Sequence, residues 1–302
     1  MSTPLTLNPL HPLFGAELIG ADLHEPPSPA LIAAVNDAMA KYAVLVVREQ
    51  CIDDEEQIRF SRCFGPLELP PHMGMKGFRR RLRPEMYDVS NLDEEGDFLP
   101  PDSLRLASNR ANEEFHTDSS FNSLPTKWSL LSARVLPPAG GDTWYVDTRA
   151  VYDALPAELK ARVQDAVAEH YFWKTRIRAG YTIITEEMKR AMPPVPQKIV
   201  RVVPESGRTA LYIGNHAAHI IGWPLEEGQR FLEELNAFAT QQRFIYVHQW
   251  RAGDLVIWDN RCTWHRGAGW DVFRHKRDLR RTTINEHGPE ISSTDALGIA
   301  PP

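Results

Sequence analysis

The chain has 302 residues, 42% hydrophobic and 25% charged, with a net charge of −6, a balance that suits a soluble globular protein and disfavours a general nucleic-acid surface. Its three cysteines, Cys51, Cys63 and Cys262, form no C-x-x-C and suggest neither a disulfide framework nor a zinc ribbon, so the chain reads as reduced and cytoplasmic. No stretch approaches the roughly 18 apolar residues of a membrane span, and the opening residues lack the basic-then-apolar pattern of a signal peptide.

In chain order, "PALIAAVNDAMAKY" (29–42) spaces its apolar residues as a helix does, and "AVLVVR" (43–48) follows as a buried strand. "DDEEQIRFSRCFG" (53–65) opens on acids and stops at a glycine, as a second helix would. Residues 66–112 are rich in Pro, Gly and charge and show little periodicity, which is the pattern of a functional lid or mobile insertion. Lid segments are therefore expected at 68–112 and 174–197. The basic run "FRRRLRP" (78–84) reads as a solvated loop face.

Beyond residue 115 short strands dominate: "KWSLLSARVL" (127–136), "GDTWYVD" (141–147), "KIVRVV" (198–203), "TALYIG" (209–214), "RFIYVHQW" (243–250), "DLVIWDN" (254–260) and "RRTTIN" (280–285). Helices are expected near 149–169 and 224–240. Many short strands separated by turn signals predict a sandwich or jelly roll, and the absence of a repeat or linker predicts one domain over 1–302.

The stretch "EFHTDSSF" (114–121) places His116 and Asp118 two residues apart. On a strand these side chains share a face and converge. A third ligand must come from elsewhere, and His265 in "WDNRCTWHRG" follows an apolar run that should be a core strand. Two histidines and a carboxylate serve non-haem iron oxygenases, and zinc hydrolases use the same set. Cys262 is not expected to ligate, because no second cysteine is near it. In "RHKRDLRRTTIN" (274–285), Arg277 and Arg281 are four apart and hence on one face, with Lys276 and Arg280 on others. Two arginines aimed into a core need anionic partners. A dicarboxylate cosubstrate and an anionic substrate would occupy both.

Taken together, "HTD" (116–118), "GGDT" (140–143), "WDNRCTWH" (258–265) and the Arg277/Arg281 pair, in that order, resemble the Fe(II)/2-oxoglutarate dioxygenases of the taurine and 2,4-dichlorophenoxyacetate dioxygenase family. "NPLHPLF" (8–14), "YDALP" (152–156), "AMPPV" (191–195), "IGNHAAHIIG" (213–222) and "GDLVIWDNRC" (253–262) look closer to the phenoxyacetate branch. The resemblance implies a double-stranded β-helix, a mainly β jelly roll with helices packed outside. It implies iron(II) held by His116, Asp118 and His265, with 2-oxoglutarate as cosubstrate and dioxygen as oxidant. Thr143 and Arg277 match the pair that holds the distal carboxylate of 2-oxoglutarate, and Arg281 matches the arginine that meets the substrate's acidic head.

Weaker claims attach to other residues. His216 and His219 could line the substrate mouth or be two partly exposed loop histidines. His72 and Lys76 could offer positive charge from the lid, and Asn112 could donate to substrate. Phe115, Trp144, Phe172, Trp173 and Trp258 read as core or wall, and Asp254 and Asp259 as turn or supporting residues. The partner expected is a small anionic molecule, an aryloxyalkanoic acid, with neither nucleic acid nor membrane; homo-oligomer formation is left open. An alkyl sulfonate or sulfate dioxygenase of the same family, and a non-catalytic jelly-roll binding protein with a structural metal, stand as alternatives.

Overall fold

The computed structural model describes residues 4–70, 80–181 and 184–287. β1 (Thr6–Pro9) and β2 (Ala16–Ile19) form a hairpin at one sheet edge. α1 (Pro29–Tyr42) begins where the Ser28 side chain accepts from Leu31 N–H and Pro29 takes the first helical position. It ends at Ala43, whose left-handed φ of 57° turns the chain into β3 (Val44–Val47). α2 (Asp54–Arg62) starts with a capping box between Asp53 and Glu56.

The chain continues through β4 (Tyr87–Ser90), α3 (Leu104–Ala111), β5 (Thr126–Val135), β6 (Thr143–Asp147), α4 (Thr148–Ala154), α5 (Ala157–Val163) and β7 (Val167–His170). After these come α6 (Phe172–Arg178), α7 (Glu186–Ala191), β8 (Val195–Lys198), β9 (Val200–Val202), β10 (Thr209–Leu211) and β11 (Ala217–Ile220). The long amphipathic α8 (Leu225–Ala239) precedes β12 (Ile245–His248), β13 (Leu255–Asp259), β14 (Thr263–Gly267) and β15 (Asp278–Asn285).

The large sheet runs β1-β2-β3-β13-β5-β15-β4, and a smaller one runs β12-β6-β14. They are antiparallel throughout except for the β2–β3 pair. Period-two alternation explains the layers. Leu45, Val47, Trp128, Leu130, Leu255 and Ile257 face outward onto Val35, Met39, Ile58 and Phe60 of α1 and α2. Val44, Val46, Leu131, Val256 and Trp258 face inward onto Tyr145 and Tyr246 of the small sheet. The opposite face of the small sheet, with Val146, Ile245 and Trp264, packs under α4, α5 and α8. Two sheets packed face to face between helical layers make the double-stranded β-helix that the motifs imply. Burial on both faces is why "AVLVV" and "DLVIW" read as unbroken apolar runs.

Three expectations are corrected. The helix foreseen over 149–169 is two short helices and a strand, because Pro156 bars the helical continuation of Leu155, which turns extended at ψ 139°. Residues 66–112, where little periodicity is legible, hold β4 and α3 among the described residues. β4 is a short, half-buried edge strand, so it leaves no alternation to read. The run 78–84 is not a plain solvated face. Arg81 forks onto Asp88 at 2.8 and 3.0 Å and onto Asp278 at 2.7 and 2.9 Å, stapling β4 to β15. No helix among the described residues is long and apolar enough to cross a membrane.

The staple has an acid signature. Burial would raise the Asp278 carboxyl, but hydrogen bonds from Arg81 and Arg280 hold it at about 2, below its usual 3.8. A depressed folded-state pKa stabilises above the unfolded value and is lost as pH falls through the folded one. The contribution, about 2 kcal/mol, should be present at pH 6 and disappear between about pH 4 and 2. Urea unfolding of Asp278→Asn against the wild type should show a stability gap at pH 6 that closes over this window. A gap that stays constant down to pH 2 would remove Asp278 from the role.

Candidate metal centre

His116 and His265 are brought together by main-chain bonding. His116 N–H donates to His265 O at 3.0 Å, and His265 N–H returns to His116 O at 2.8 Å, an isolated antiparallel bridge beyond the small sheet's β14 edge. Their rings stand 4.2 Å apart between centroids. Thr117 turns the other way and donates to Asn260 O, so Asp118 returns to the face of His116. Ser119, at φ 51°, then bends the chain away. Gly214 passes behind the bridge at φ 152°, and a Cβ there would lie 3.1 Å from His116 Cα. Only glycine gives both that conformation and that approach.

The ligand atoms of His116, Asp118 and His265 all lie within 4.8 Å of one another. His116 Nε2 is 3.9 Å from Asp118 Oδ1, and His265 Nε2 is 3.7 Å from Asp118 Oδ2. His116 Nδ1 bonds the Glu114 carbonyl at 2.8 Å, which fixes its proton there and leaves Nε2 as a lone-pair donor. Asp118 accepts from Ser129 Oγ at 2.8 Å and from Arg281 at 2.5 Å. Its backbone N–H donates to Asn260 Oδ1, which also accepts from Trp258 Nε1, while Asn260 Nδ2 bonds Ser129 Oγ.

Burial would raise the Asp118 carboxyl, but Arg281, then His265 and His116, hold it far below the usual carboxylate range. Burial lowers both ligand histidines, most strongly His265, where His116 adds to the effect. Two neutral imidazoles and one carboxylate are the protonation states a divalent metal requires. The donor set fits iron(II) or zinc.

A cleft of about 340 Å³ opens beside these residues. Arg277 is 4% exposed. Its NH2 donates to Gly141 O at 3.0 Å and its guanidinium lies 4.8 Å from the Trp270 ring centre, but its buried Nε has no partner among the described residues. No carboxylate there pairs with it, and burial brings its pKa down to about 10. The "GGDT" motif makes room for it: a Cβ on Gly141, at φ 75°, would lie 3.2 Å from Arg277 Nε. Thr143, first in β6, accepts from Trp250 Nε1 at 3.0 Å, leaving its own hydroxyl proton to give. A buried cation and a free donor in one cleft fit a carboxylate of 2-oxoglutarate.

Arg281 also lines the cleft, stacked 4.4 Å over Tyr87, but one arm is committed to Asp118. Asn112 lines the same wall. His216 is buried behind the metal site, edge-on to His116 at 6.3 Å. His219 is carried elsewhere: a bulge in β11 turns it, half-exposed, toward Glu169 at 3.7 Å. His72 and Lys76 lie outside the described residues. Cys262 is buried among Ala43, Val203 and Ala210, apart from the ligand cluster. Trp258 packs as expected but also floors the cleft, 4.7 Å from the His265 ring.

The fold and this site define a jelly-roll metalloprotein with two histidines and one carboxylate. The taurine catabolism dioxygenase TauD, TfdA family matches residues 6–283, and the chain belongs to that family. It is 42% identical over 283 residues to the alpha-ketoglutarate-dependent 2,4-dichlorophenoxyacetate dioxygenase of Cupriavidus pinatubonensis, covering 91% of this chain and 96% of that protein. It is 34% identical to the (S)-phenoxypropionate/alpha-ketoglutarate-dioxygenase of Sphingobium herbicidovorans, covering 91% and 93%. The crystal structure of AAD-2 in complex with Mn(II) and N-oxalylglycine superposes with a TM-score of 0.86 at 40% identity, over 96% of this chain and 99% of that one.

His116→Ala, Asp118→Ala and His265→Ala should each abolish high-affinity iron(II) binding while leaving the circular dichroism spectrum nearly unchanged. Ser129→Ala, which frees one Asp118 oxygen, should weaken metal affinity about 10- to 100-fold. Cys262→Ala should leave it unaltered. Competition with a metal-binding dye measures all five, and near-normal affinity in any ligand variant would displace that residue from the centre.

Proposed function

We propose that the protein is an Fe(II)- and 2-oxoglutarate-dependent dioxygenase that hydroxylates the carbon beside the ether oxygen of an aryloxyacetate-type acid. The observation that carries this reading is the buried Arg277, which has no carboxylate partner among the described residues, set with Thr143 in the cleft that opens onto the ligand cluster. A structural metal would leave that cation unexplained. The high identity to relatives named for 2,4-dichlorophenoxyacetate and phenoxypropionate supports the choice of substrate.

Iron(II), when bound, couples the oxidative decarboxylation of 2-oxoglutarate by dioxygen to oxygen insertion into a substrate C–H bond. His116, Asp118 and His265 would hold the metal. Arg277 would pair with the distal carboxylate of 2-oxoglutarate while the Thr143 hydroxyl would donate to it. The free edge of Arg281 meets the substrate acid, and its other arm keeps Asp118 ionised. Val89, Leu106, Leu131 and Val272 provide apolar wall for an aryl ring and exclude water from the reacting carbon. One dioxygen, one 2-oxoglutarate and one aryloxyacetate then give succinate, carbon dioxide and a hemiacetal, which falls apart to a phenol and glyoxylate.

We read the chain as one cytoplasmic domain in which the segments 68–112 and 174–197 serve as lids; residues 71–79 and 182–183 lie outside the described residues, while α3, from the first segment, supplies one wall of the cleft, and α6, which runs into the second, packs on α3.

The decisive experiment is a substrate panel with iron(II), ascorbate and 2-oxoglutarate, scored by succinate and by the second product. Aryloxyacetates should release a phenol stoichiometrically with succinate. Sulfite from alkyl sulfonates as the faster reaction would shift the assignment within the family, and no consumption of 2-oxoglutarate with any acid would end the enzymatic reading. Arg277→Ala should weaken 2-oxoglutarate binding by on the order of 2–5 kcal/mol, measured as apparent affinity in the succinate assay. An unchanged value would remove Arg277 from the cosubstrate site.

A further inference from the structure

Arg277 enters the cleft from a connection, not from a strand. Residues 268–277 join β14 to β15 and bring Trp270 and Val272 to the same cleft. At the start of this connection Ala268 N–H donates to Asp142 O at 2.7 Å, and Gly141 N–H donates to Gly269 O at 3.3 Å. Toward its end, one side chain takes three main-chain groups. Asn91, the residue after β4, is 1% exposed. Its Oδ1 accepts from Arg277 N–H at 2.8 Å, and its Nδ2 donates to Val272 O at 2.7 Å and to His275 O at 2.9 Å. Its main chain is engaged as well: Asn91 N–H donates to Arg277 O at 3.3 Å, and Asn91 O accepts from Leu99 N–H at 3.0 Å.

These bonds fix the orientation of the amide. One partner is an N–H and the other two are carbonyls, so a flipped amide would set like against like at all three. They also tie Asn91 to the chemistry of the cleft. Both main-chain polar groups of Arg277 are bound by Asn91. The Arg277 guanidinium lies 4.8 Å from the Trp270 ring centre and reaches Gly141 O at 3.0 Å, so it is aimed by its own backbone and by a neighbour on the same connection. Removing the amide would leave two carbonyls and an N–H short of a partner in buried space and would free the connection to shift. A guanidinium that must meet a carboxylate in a fixed fork tolerates little misplacement.

We propose that Asn91 is a positioning residue for the cosubstrate site: by pinning the main chain at Val272, His275 and Arg277 it aims the Arg277 guanidinium at the carboxylate of 2-oxoglutarate. The proposal rests on the reading of Arg277 as the cosubstrate arginine. It adds a residue from the far edge of the large sheet, distant in sequence from every motif that marks the site. A residue that merely closed the turn after β4 would affect stability whether or not Arg277 were present, and this separates the two roles.

The test is a double-mutant cycle. Full-length protein loaded with Mn(II) is titrated calorimetrically with N-oxalylglycine, an unreactive analogue of 2-oxoglutarate, in the wild type, Asn91→Ala, Arg277→Ala and the double variant. Asn91→Ala should lose about 10- to 100-fold in N-oxalylglycine affinity, while its Mn(II) affinity, read by dye competition, stays near that of the wild type. In the Arg277→Ala background the same substitution should cost almost nothing further, because the group that Asn91 aims is gone. Unchanged N-oxalylglycine affinity in Asn91→Ala would overturn the proposal. So would an equal loss in both backgrounds, or a parallel loss of Mn(II) affinity, since either marks a general structural role. Should the alanine variant fail to fold, Asn91→Ser, which keeps a hydroxyl near the same groups, takes its place in the cycle and the same outcomes decide. An Arg277→Ala protein that binds N-oxalylglycine as the wild type does would overturn the cosubstrate reading and this proposal with it, whereas failure at Asn91 alone leaves that reading standing.

Discussion

Two backbone hydrogen bonds hold the centre of this molecule together. The reciprocal pair between His116 and His265 joins segments 149 positions apart in sequence and sets two imidazoles side by side before any metal arrives. The neighbouring features depend on that bridge. Gly214 must be a glycine because its φ is positive and the His116 backbone lies close against it. Asn260 must reach Thr117, Asp118 and Ser129 because the carboxylate has to return to the same face. Rigid strands position such ligands more closely than loops do, and supporting hydrogen bonds lock their orientation.

Around the bridge, charge is arranged against the balance of the whole chain. The net charge is −6, yet the cleft beside the ligand cluster collects Arg281 and Arg277. Asp118 offsets only one of them. Buried like charges of this kind are retained where a ligand completes them, and a local surplus of cations draws small anions whatever the overall charge. Some of the exposed acids on the remaining surface are held in ion pairs, such as Glu55 with Arg83 and Glu186 with Lys189, which contribute little.

Much of this was legible in the residues, and the exceptions have physical causes. The helix over 29–42 and the strand over 255–259 stand out because a cap, a proline and long apolar runs agree. The H-x-D pair is readable because strand geometry alone makes i and i+2 converge. His265 is readable from the core strand "DLVIW" that precedes it, and the resemblance then separates it from the other histidines. Ser129 and Glu68 left no trace: a serine in "KWSLLS" and a glutamate in "GPLELP" look like surface polar residues. Only the register of β5 carries Ser129 to Asp118, and only the turn after α2 buries Glu68 among Tyr87, Ser119 and Thr126. His216 and His219 could not be separated in the residues. They lie three apart in one short stretch, and only the β-bulge in β11 turns His219 away from His216, toward Glu169.

The residues around the cleft divide by the kind of backbone that carries them. Those placed toward metal and cosubstrate sit on or beside the β-strands, at His265, Thr143, Arg277 and Arg281. Leu106, Asn109, Arg110, Asn112, Trp270 and Val272 come from α3 and from connecting loops. Substitutions in that second set leave sheet register and the two-faced burial of β13 untouched. Selection can therefore exchange one anionic substrate for another while the oxidative chemistry is inherited unchanged, and enzymes of this architecture are free to diverge in diet faster than in mechanism.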